Sequence, residues 1–260
     1  MTYKDLSTIN FAISGWAGSG STSLALIIAK AFKRKYLYIG HVFRYLGEKL
    51  GYIDEGGKRP EFDEYIETIV GKTIDNYIDH KLINSSNIIL EGDIAGFRIG
   101  RNPKIFSIFV KAKYEERLRR VQVDGRVDGE KYLKDRDDVL NAKYKEIWDI
   151  DFYSEELIDK KYSLVIDNTN MPIETELKMV YDSLNEQYKI GDEPEFKKGY
   201  AKIDKEVDLF WKKGKKGLLE TLKKKDLYYS PEKVILEITQ QFPEDIITFP
   251  PEVQKVFLGK

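Results

Sequence analysis

The stretch "ISGWAGSGSTS", Ile13 to Ser23, decides how the rest of the chain is read. Laid on the pattern G-x-x-x-x-G-K-[ST], Gly15, Gly20 and Thr22 take their places, and Ser21 stands where the pattern has lysine. An apolar run, "INFAIS" (9–14), leads into it. A helical pattern from Thr22 to Lys35, with Leu24, Ile27, Ile28 and Ala31 on one face, leads out. A glycine-rich turn between a buried strand and a helix gathers backbone N–H groups around a concavity at the helix N-terminus. Phosphate is held there by hydrogen bonds and the helix dipole, and neither needs a lysine. Gly15, Gly18 and Gly20 relieve the steric limits of such a turn. The expected phosphate-binding segment is therefore Gly15, Trp16, Ala17, Gly18, Ser19, Gly20, Ser21, Thr22 and Ser23, with the Thr22 hydroxyl offered to Mg²⁺. The missing lysine bears on rate more than on binding, because in phosphoryl transfer the protein mainly positions groups and neutralises charge.

Working outward, four further runs read as strands buried on both faces: "YLYIG" (36–40), "NIILEG" (87–92), "IFSIFVK" (105–111) and "YSLVID" (162–167). Helical patterns lie between them over 42–50, 62–82, 114–123, 131–148 and 173–188. This alternation predicts an α/β fold, a five-stranded parallel sheet flanked by helices and joined by right-handed crossovers. Past residue 196 the pattern is helical. Ile203, Val207, Phe210 and Trp211 share one helix face, Gly214 and Gly217 interrupt it, and Ser230-Pro231 reads as a new helix start.

The chain has 260 residues, 42% apolar and 33% charged, which suits one domain with an appendage or two small domains. It lacks the long apolar stretch of a membrane span, and no signal peptide is expected. With no cysteine there are no disulfides, zinc thiolates or cysteine nucleophiles, and a cytoplasmic setting is the simplest expectation. Only two histidines, His41 and His80, speak against histidine-based metal or triad chemistry. Charge is uneven: 197–225 holds eleven lysines against Asp204, Glu206, Asp208 and Glu220, while the whole chain carries −1. With "KIGDEPEF" beside it, this places the expected boundary near residue 190, between a P-loop domain (1–190) and a Lys-rich helical extension (191–260). The simplest reading of those lysines is a solvated outer face over an apolar stripe docked on the core. Contact with nucleic acid or another protein is the alternative.

Four segments carry a family likeness over roughly residues 9 to 185. "SGWAGSGSTS" is similar to S-G-x-x-G-S-G-[KT]-T-T, "YLYIGHVFRYLGEKLG" to Y-x-[YS]-x-G-[DE]-I-F-R, "NIILEGDIAGF" to N-V-V-L-E-G-R-L-A-G-W, and "RDDVLNAKYKEIWDIDFYS" to R-E-E-S-E-A-x-R-Y-x-x-x-Y-G-I-D. Together they resemble the archaeal-type cytidylate kinases of the P-loop nucleoside monophosphate kinase family. The resemblance implies ATP with Mg²⁺ on the loop, a nucleoside monophosphate (CMP or dCMP) as acceptor, and an arginine-bearing lid over both. By position it implies that Arg44 meets the acceptor phosphate and that Gly40, His41, Gly92 and Asp93 border the acceptor. It also implies that Arg136 and Lys143 bridge the two nucleotides, and that Arg119 or Arg120 flanks the lid and donor base. Read from the residues alone, Arg136 and Lys143 are seven apart and so share one face of a helix.

Three positions depart from the family pattern. Ser21 keeps a hydroxyl, Lys143 replaces arginine and loses its bidentate fork, and Asp93 replaces the arginine of "EGR". A carboxylate facing an acceptor phosphate repels it. Asp93 is thus a candidate for Mg²⁺ instead, with Glu91 competing for that role, and Arg98 or Arg101 is a candidate for the displaced cation. The alternative to a kinase is a nucleotide-binding protein of this fold with little catalysis, or a kinase with another phosphate acceptor.

Overall fold

The computed structural model describes residues 5–54, 57–58, 61–125 and 129–259. Among these, five strands form one all-parallel sheet in the order β2-β5-β1-β6-β7. They are β1 (Asn10–Gly15), β2 (Lys35–Tyr38), β5 (Ile88–Glu91), β6 (Ile105–Lys111) and β7 (Leu164–Asp167). A two-stranded hairpin, β3 (Ile53–Asp54) and β4 (Gly57–Lys58), stands apart from the sheet. β1 runs down the middle, with Phe11 opposite Ile89 on one side and Phe106 on the other.

Both sheet faces are covered, so the strands read as continuous apolar runs. Phe11, Ile13, Ile89, Phe106 and Ile108 point to one layer, and Ala12, Ile88, Leu90 and Ile105 to the opposite one. The first layer is built by helices α1 (Ser21–Ala31) and α7 (Ile173–Tyr188), the second by α2 (Ile39–Lys49) and α3 (Glu61–Asn84). A third cluster, with Phe109, Leu140, Tyr144, Phe152 and Ile158, is built from β6, α5 (Gly129–Trp148) and α6 (Glu155–Lys161), and α4 (Tyr114–Val123) precedes α5.

The C-terminal residues form α8 (Pro194–Tyr200), α9 (Ile203–Lys224), α10 (Pro231–Gln241), α11 (Pro243–Ile246) and α12 (Pro251–Leu258). They join both layers: Leu218 and Leu222 pack with the α1 side, and Val234, Ile238, Val253 and Phe257 with the α2 side. Lys30 of α1 and Glu206 of α9 form a buried ion pair. Between α9 and α10 the chain lies alongside β2, where Tyr36 N–H donates to Leu227 O at 2.7 Å and Tyr229 N–H to Tyr36 O at 2.8 Å. Ser230 caps α10 as expected, its hydroxyl accepting from Lys233 N–H.

Two expectations are corrected. The strand expected over 36–40 stops at Tyr38, because Ile39 and Gly40 already belong to α2. Trp211, expected on the buried face with Ile203 and Val207, is 66% exposed, with its indole N–H directed to Glu174 at 3.4 Å. At eight residues from Ile203, Trp211 lies at the edge of the stripe, about 80° round the helix, and Gly214, with φ of 65° and ψ of −177°, breaks α9 into two segments just beyond it. Among the described residues, no helix is long and apolar enough to cross a membrane.

Candidate active site

The loop after β1 is shaped by its glycines and braced from below. Gly20 caps α1 at φ 99°, a conformation open to glycine and costly to residues with a Cβ. Ser23 and Leu24 N–H donate to Gly20 O. The N–H groups of Ser21 and Thr22, in the first turn, have no intrahelical acceptor by construction. Two arginines of α4 hold the loop's carbonyls. Arg117, buried and paired with Asp137 at 2.7 Å, donates to Ala17 O at 3.2 Å. Arg120 donates to Ser19 O at 2.8 Å and to the Asn168 side chain at 2.9 Å. The Asn168 amide also donates to Ser19 O at 2.8 Å. Trp16 stacks on Tyr153 with centroids 5.3 Å apart and meets Phe109 edge-on. These donors fix the loop's carbonyls, and Trp16 and Ser19 N–H are spent within the fold, on Val110 O and Trp16 O.

Glu91 ends β5 beside the loop. Its Oε1 accepts from the Thr22 hydroxyl at 2.6 Å and its Oε2 from the Tyr36 hydroxyl. Burial raises its pKa from 4.5 to about 7, against the two hydrogen bonds, which lower it. Asp93 raises it further and Lys215 lowers it. A hydroxyl and a carboxylate side by side are hard oxygen ligands and fit Mg²⁺, which takes one or two carboxylates and completes its shell with phosphate and water. Among the described residues no group of three or more His, Cys, Asp or Glu could hold a metal by itself.

Asp93 follows two residues later and has a different partner. Both its oxygens accept from Arg136 Nη2 of α5, at 3.1 and 3.2 Å. The two candidate metal carboxylates are therefore separated, Glu91 to Thr22 and Asp93 to the lid arginine. Arg44, exposed on α2, lies over the Tyr38 ring at 5.8 Å. The Tyr38 hydroxyl has its pKa raised by burial and by Glu91, while Arg44 and Arg136 oppose the rise. Arg44, Arg136, Glu91 and Asp93 thus converge around one tyrosine.

Lys143 is buried on α5, its ammonium 5.5 Å from the Phe43 ring and 4.7 Å from that of Tyr144. It lies close to Asp75, a buried carboxylate of α3 that accepts from the Trp148 indole at 2.9 Å. Burial raises the Asp75 pKa, and Lys143 opposes the rise first, then Trp148 and Arg98. Arg98 stacks on Trp148 at 3.4 Å, donates to Asn76 at 2.9 Å and pairs with Asp79 at 3.3 Å. It therefore joins the cluster around Asp75 and Trp148, with its charge shared by Asp79. Arg101, the other candidate for a displaced cation, is exposed and donates to Asp159 O, on the β7 side. Arg119 is exposed and bound to Glu116, whereas Arg120 is the member of that pair on the loop. Gly40 packs against the Tyr38 ring, which occupies the space a Cβ would need, and the Gly92 carbonyl accepts from Ser14 Oγ at 2.8 Å. His41 Nδ1 is 2.9 Å from the hydroxyl of Tyr228, a residue of the C-terminal segment. Burial, with Arg44 and Lys223 nearby, holds the His41 pKa down to about 4, so the ring is neutral at pH 7.

Asp75, Trp148 and Tyr228 are the residues of this region that sequence reasoning missed. Each is a single side chain in a helix or turn with no spacing signal, and each is defined only by what the fold brings against it.

A parallel sheet with a glycine loop at the central strand, a hydroxyl–carboxylate pair beside it and a helix, α5, whose Arg136 reaches Asp93 just past β5 define a P-loop kinase-type α/β protein. Sequence comparison carries this further. A cytidylate kinase of Methanocaldococcus jannaschii is 28% identical over 182 residues, covering 66% of this chain and 96% of its own. One of Pyrobaculum calidifontis is 30% identical over 186 residues, covering 68% and 95%. One of Thermococcus kodakarensis is 30% identical over 153 residues, covering 56% and 75%. No family model matches the chain. The chain belongs to the cytidylate kinase family, and about a third of it has no counterpart in the relatives aligned over nearly their whole length.

Proposed function

We propose that the chain is a nucleoside monophosphate kinase that moves the γ-phosphoryl of ATP to a monophosphate, with CMP or dCMP the preferred acceptor. The observation that carries this is the Thr22–Glu91 pair at the loop, with Arg44 and Arg136 gathered with it around Tyr38. Donor phosphates on one side and an acceptor phosphate on the other is the arrangement these groups serve. An oxygen of the acceptor phosphate forms the new bond to the γ-phosphorus. The bond from that phosphorus to the β,γ-bridging oxygen breaks, and its electron pair leaves on ADP. The attacking oxygen is already anionic, so no general base is required.

In this reading the amides of Gly15–Ser23 hold the donor phosphates, with Arg120 fixing the loop's shape, and Thr22 and Glu91 hold Mg²⁺ directly or through its waters. Mg²⁺ bound with ATP neutralises charge on the phosphate oxygens. Arg44 meets the acceptor phosphate, and Arg136 and Lys143 neutralise the moving group. Gly40, His41, Gly92, Asp93 and Arg98 border the acceptor, and Asp75 offers a carboxylate of the kind that accepts from the cytosine amino group. Residues 1–190 carry this unit, and 191–260 form a Lys-rich helical extension.

One observation favours a second reading, nucleotide binding with weak transfer or another acceptor: Asp93 engages Arg136, which the transfer needs. Incubation with Mg²⁺·ATP and a panel of nucleoside and deoxynucleoside monophosphates, measuring ADP, decides between them. CMP or dCMP is expected to give the highest rate. ATP binding with no acceptor raising ADP above background would leave only the second reading.

A further inference from the structure

The loop position that carries lysine in the general pattern holds Ser21, so the donor's terminal phosphates need a cation from elsewhere. The nearest arginines do not supply it. Arg117 and Arg120 are turned to the loop's carbonyls and to Asp137, Glu116 and Asn168.

Helix α9 reaches the same place from the other side. Its first segment starts at the far end of α1, where Glu206 pairs with Lys30, the penultimate residue of that helix. It runs along α1 toward the loop, and Trp211 reaches Glu174 in the first turn of α7. At Gly214 the chain turns. A φ of 65° with a ψ of −177° lies in a region open essentially to glycine alone. The second segment returns with Leu218 and Leu222 buried on the α1 side, and Lys225 lines a recess with Lys30 and Lys33 back where the first segment began. The corner "KKGKKG" (212–217) therefore stands at the loop end of α1.

Lys215, the first residue past the corner, is the lysine turned inward. Its ammonium pairs with Asp124, just past the end of α4, at 2.6 Å, and both side chains are partly exposed. Asp124 N–H in turn donates to the carbonyl of Arg120, the residue whose guanidinium holds Ser19 O of the loop. Lys212, Lys213 and Lys216 are exposed.

We infer that Lys215, delivered by the glycine corner of α9, is the cation that faces the β- and γ-phosphates of the donor in place of a loop lysine. The inference rests on the kinase reading above and gives the extension a part in the reaction. As the bond to the β,γ-bridging oxygen breaks, negative charge grows on the β-phosphate of the leaving ADP, and an ammonium placed there stabilises it. A triphosphate outweighs the single Asp124 carboxylate as a partner, and rotation of the lysine side chain carries the charge from one to the other.

The test uses the full chain. Lys215→Ala is expected to lower kcat for ADP formation by roughly 10²–10³-fold, the usual effect of deleting one transition-state donor. Lys216→Ala, at the exposed neighbour, should leave kcat at the wild-type level. Lys215→Arg should recover activity, and Ser21→Lys in the Lys215→Ala background should do so by returning the charge to the loop. Wild-type kcat in Lys215→Ala overturns the inference, as does an equal loss in Lys216→Ala, or a loss that neither Lys215→Arg nor Ser21→Lys relieves. Calorimetric affinities for Mg²⁺·ATP and AMP keep the two readings apart. If the wild type forms no acceptor-dependent ADP, the kinase reading fails, and Lys215 is judged by binding alone. A selective weakening for ATP in Lys215→Ala then sustains its role, and equal affinities refute it.

Discussion

Glu91 offers the sharpest test of the loop geometry, because its environment makes stability depend on pH with a definite sign. The residue is 3% exposed, and burial lifts its pKa from 4.5 to about 7 despite hydrogen bonds from Thr22 and Tyr36. With a folded-state pKa above the unfolded one, the folded chain binds the extra proton. The Glu91 contribution to stability is then full below about pH 4.5 and is lost as pH rises through 7. The span is worth roughly 3 kcal/mol at most. Glu91→Gln removes the titration, and its amide still serves both hydroxyls, since each can rotate to donate or accept. Relative to wild type, the variant should therefore gain roughly 5–10 °C in Tm between pH 5 and pH 8. Scanning calorimetry at the two pH values reads this directly. A Tm difference that stays constant with pH would refute the argument, since it would mean that Glu91 is ionised in the folded chain at both. Mg²⁺·ATP should also stabilise wild type more than Glu91→Gln at pH 8, if the carboxylate is what the cation meets.

Other perturbations follow from the same geometry. Asp93→Asn should strengthen acceptor binding: a charge about 6 Å from a phosphate at an effective dielectric of about 20–80 repels it by roughly 0.7–3 kcal/mol, so acceptor KM should fall by about 3- to 100-fold. The Asp93–Arg136 pair is about 30% exposed, so its loss should cost about 1 kcal/mol or less, and an unchanged KM would place the charge outside the acceptor's field. Lys30→Ala leaves Glu206 buried and unpaired and should cost about 3–5 kcal/mol by denaturant melting; a loss under about 1 kcal/mol would mean the α1–α9 contact is loose. Gly214→Ala strains a backbone that only glycine adopts and should destabilise by about 1–3 kcal/mol; wild-type melting would mean the corner relaxes without cost.

How much of this was legible in the sequence follows from how local each signal is. The strands were readable because each is a short run of residues buried on both faces, and the loop because its glycines sit at fixed spacing between two such elements. The end of β2 was not, since Ile39 is as apolar as the strand before it and enters α2 without a break in hydropathy. Trp211 continued a helical stripe that Gly214 ends, and a glycine in sequence does not reveal whether its helix continues or turns. The Lys30–Glu206 pair joins residues 176 positions apart, and Asp75, Trp148 and Arg98 meet from three separate segments. Asp93 was read as a problem for the acceptor; the structure gives that carboxylate a partner, Arg136, and the question becomes which of the two the substrate displaces.

The segment that lies alongside β2 has a consequence for the chain's behaviour outside catalysis. A strand at the rim of a parallel sheet presents unpaired N–H and C=O groups, a template on which another copy can add and propagate. Here the chain's own residues Leu227 and Tyr229 take up both groups of Tyr36, so the rim is capped at that residue by covalently attached backbone. Cutting the chain near residue 190 would bare this rim together with the apolar surface under Leu218 and Val234. The shortened protein is then a candidate for self-assembly into aggregates rather than a smaller kinase.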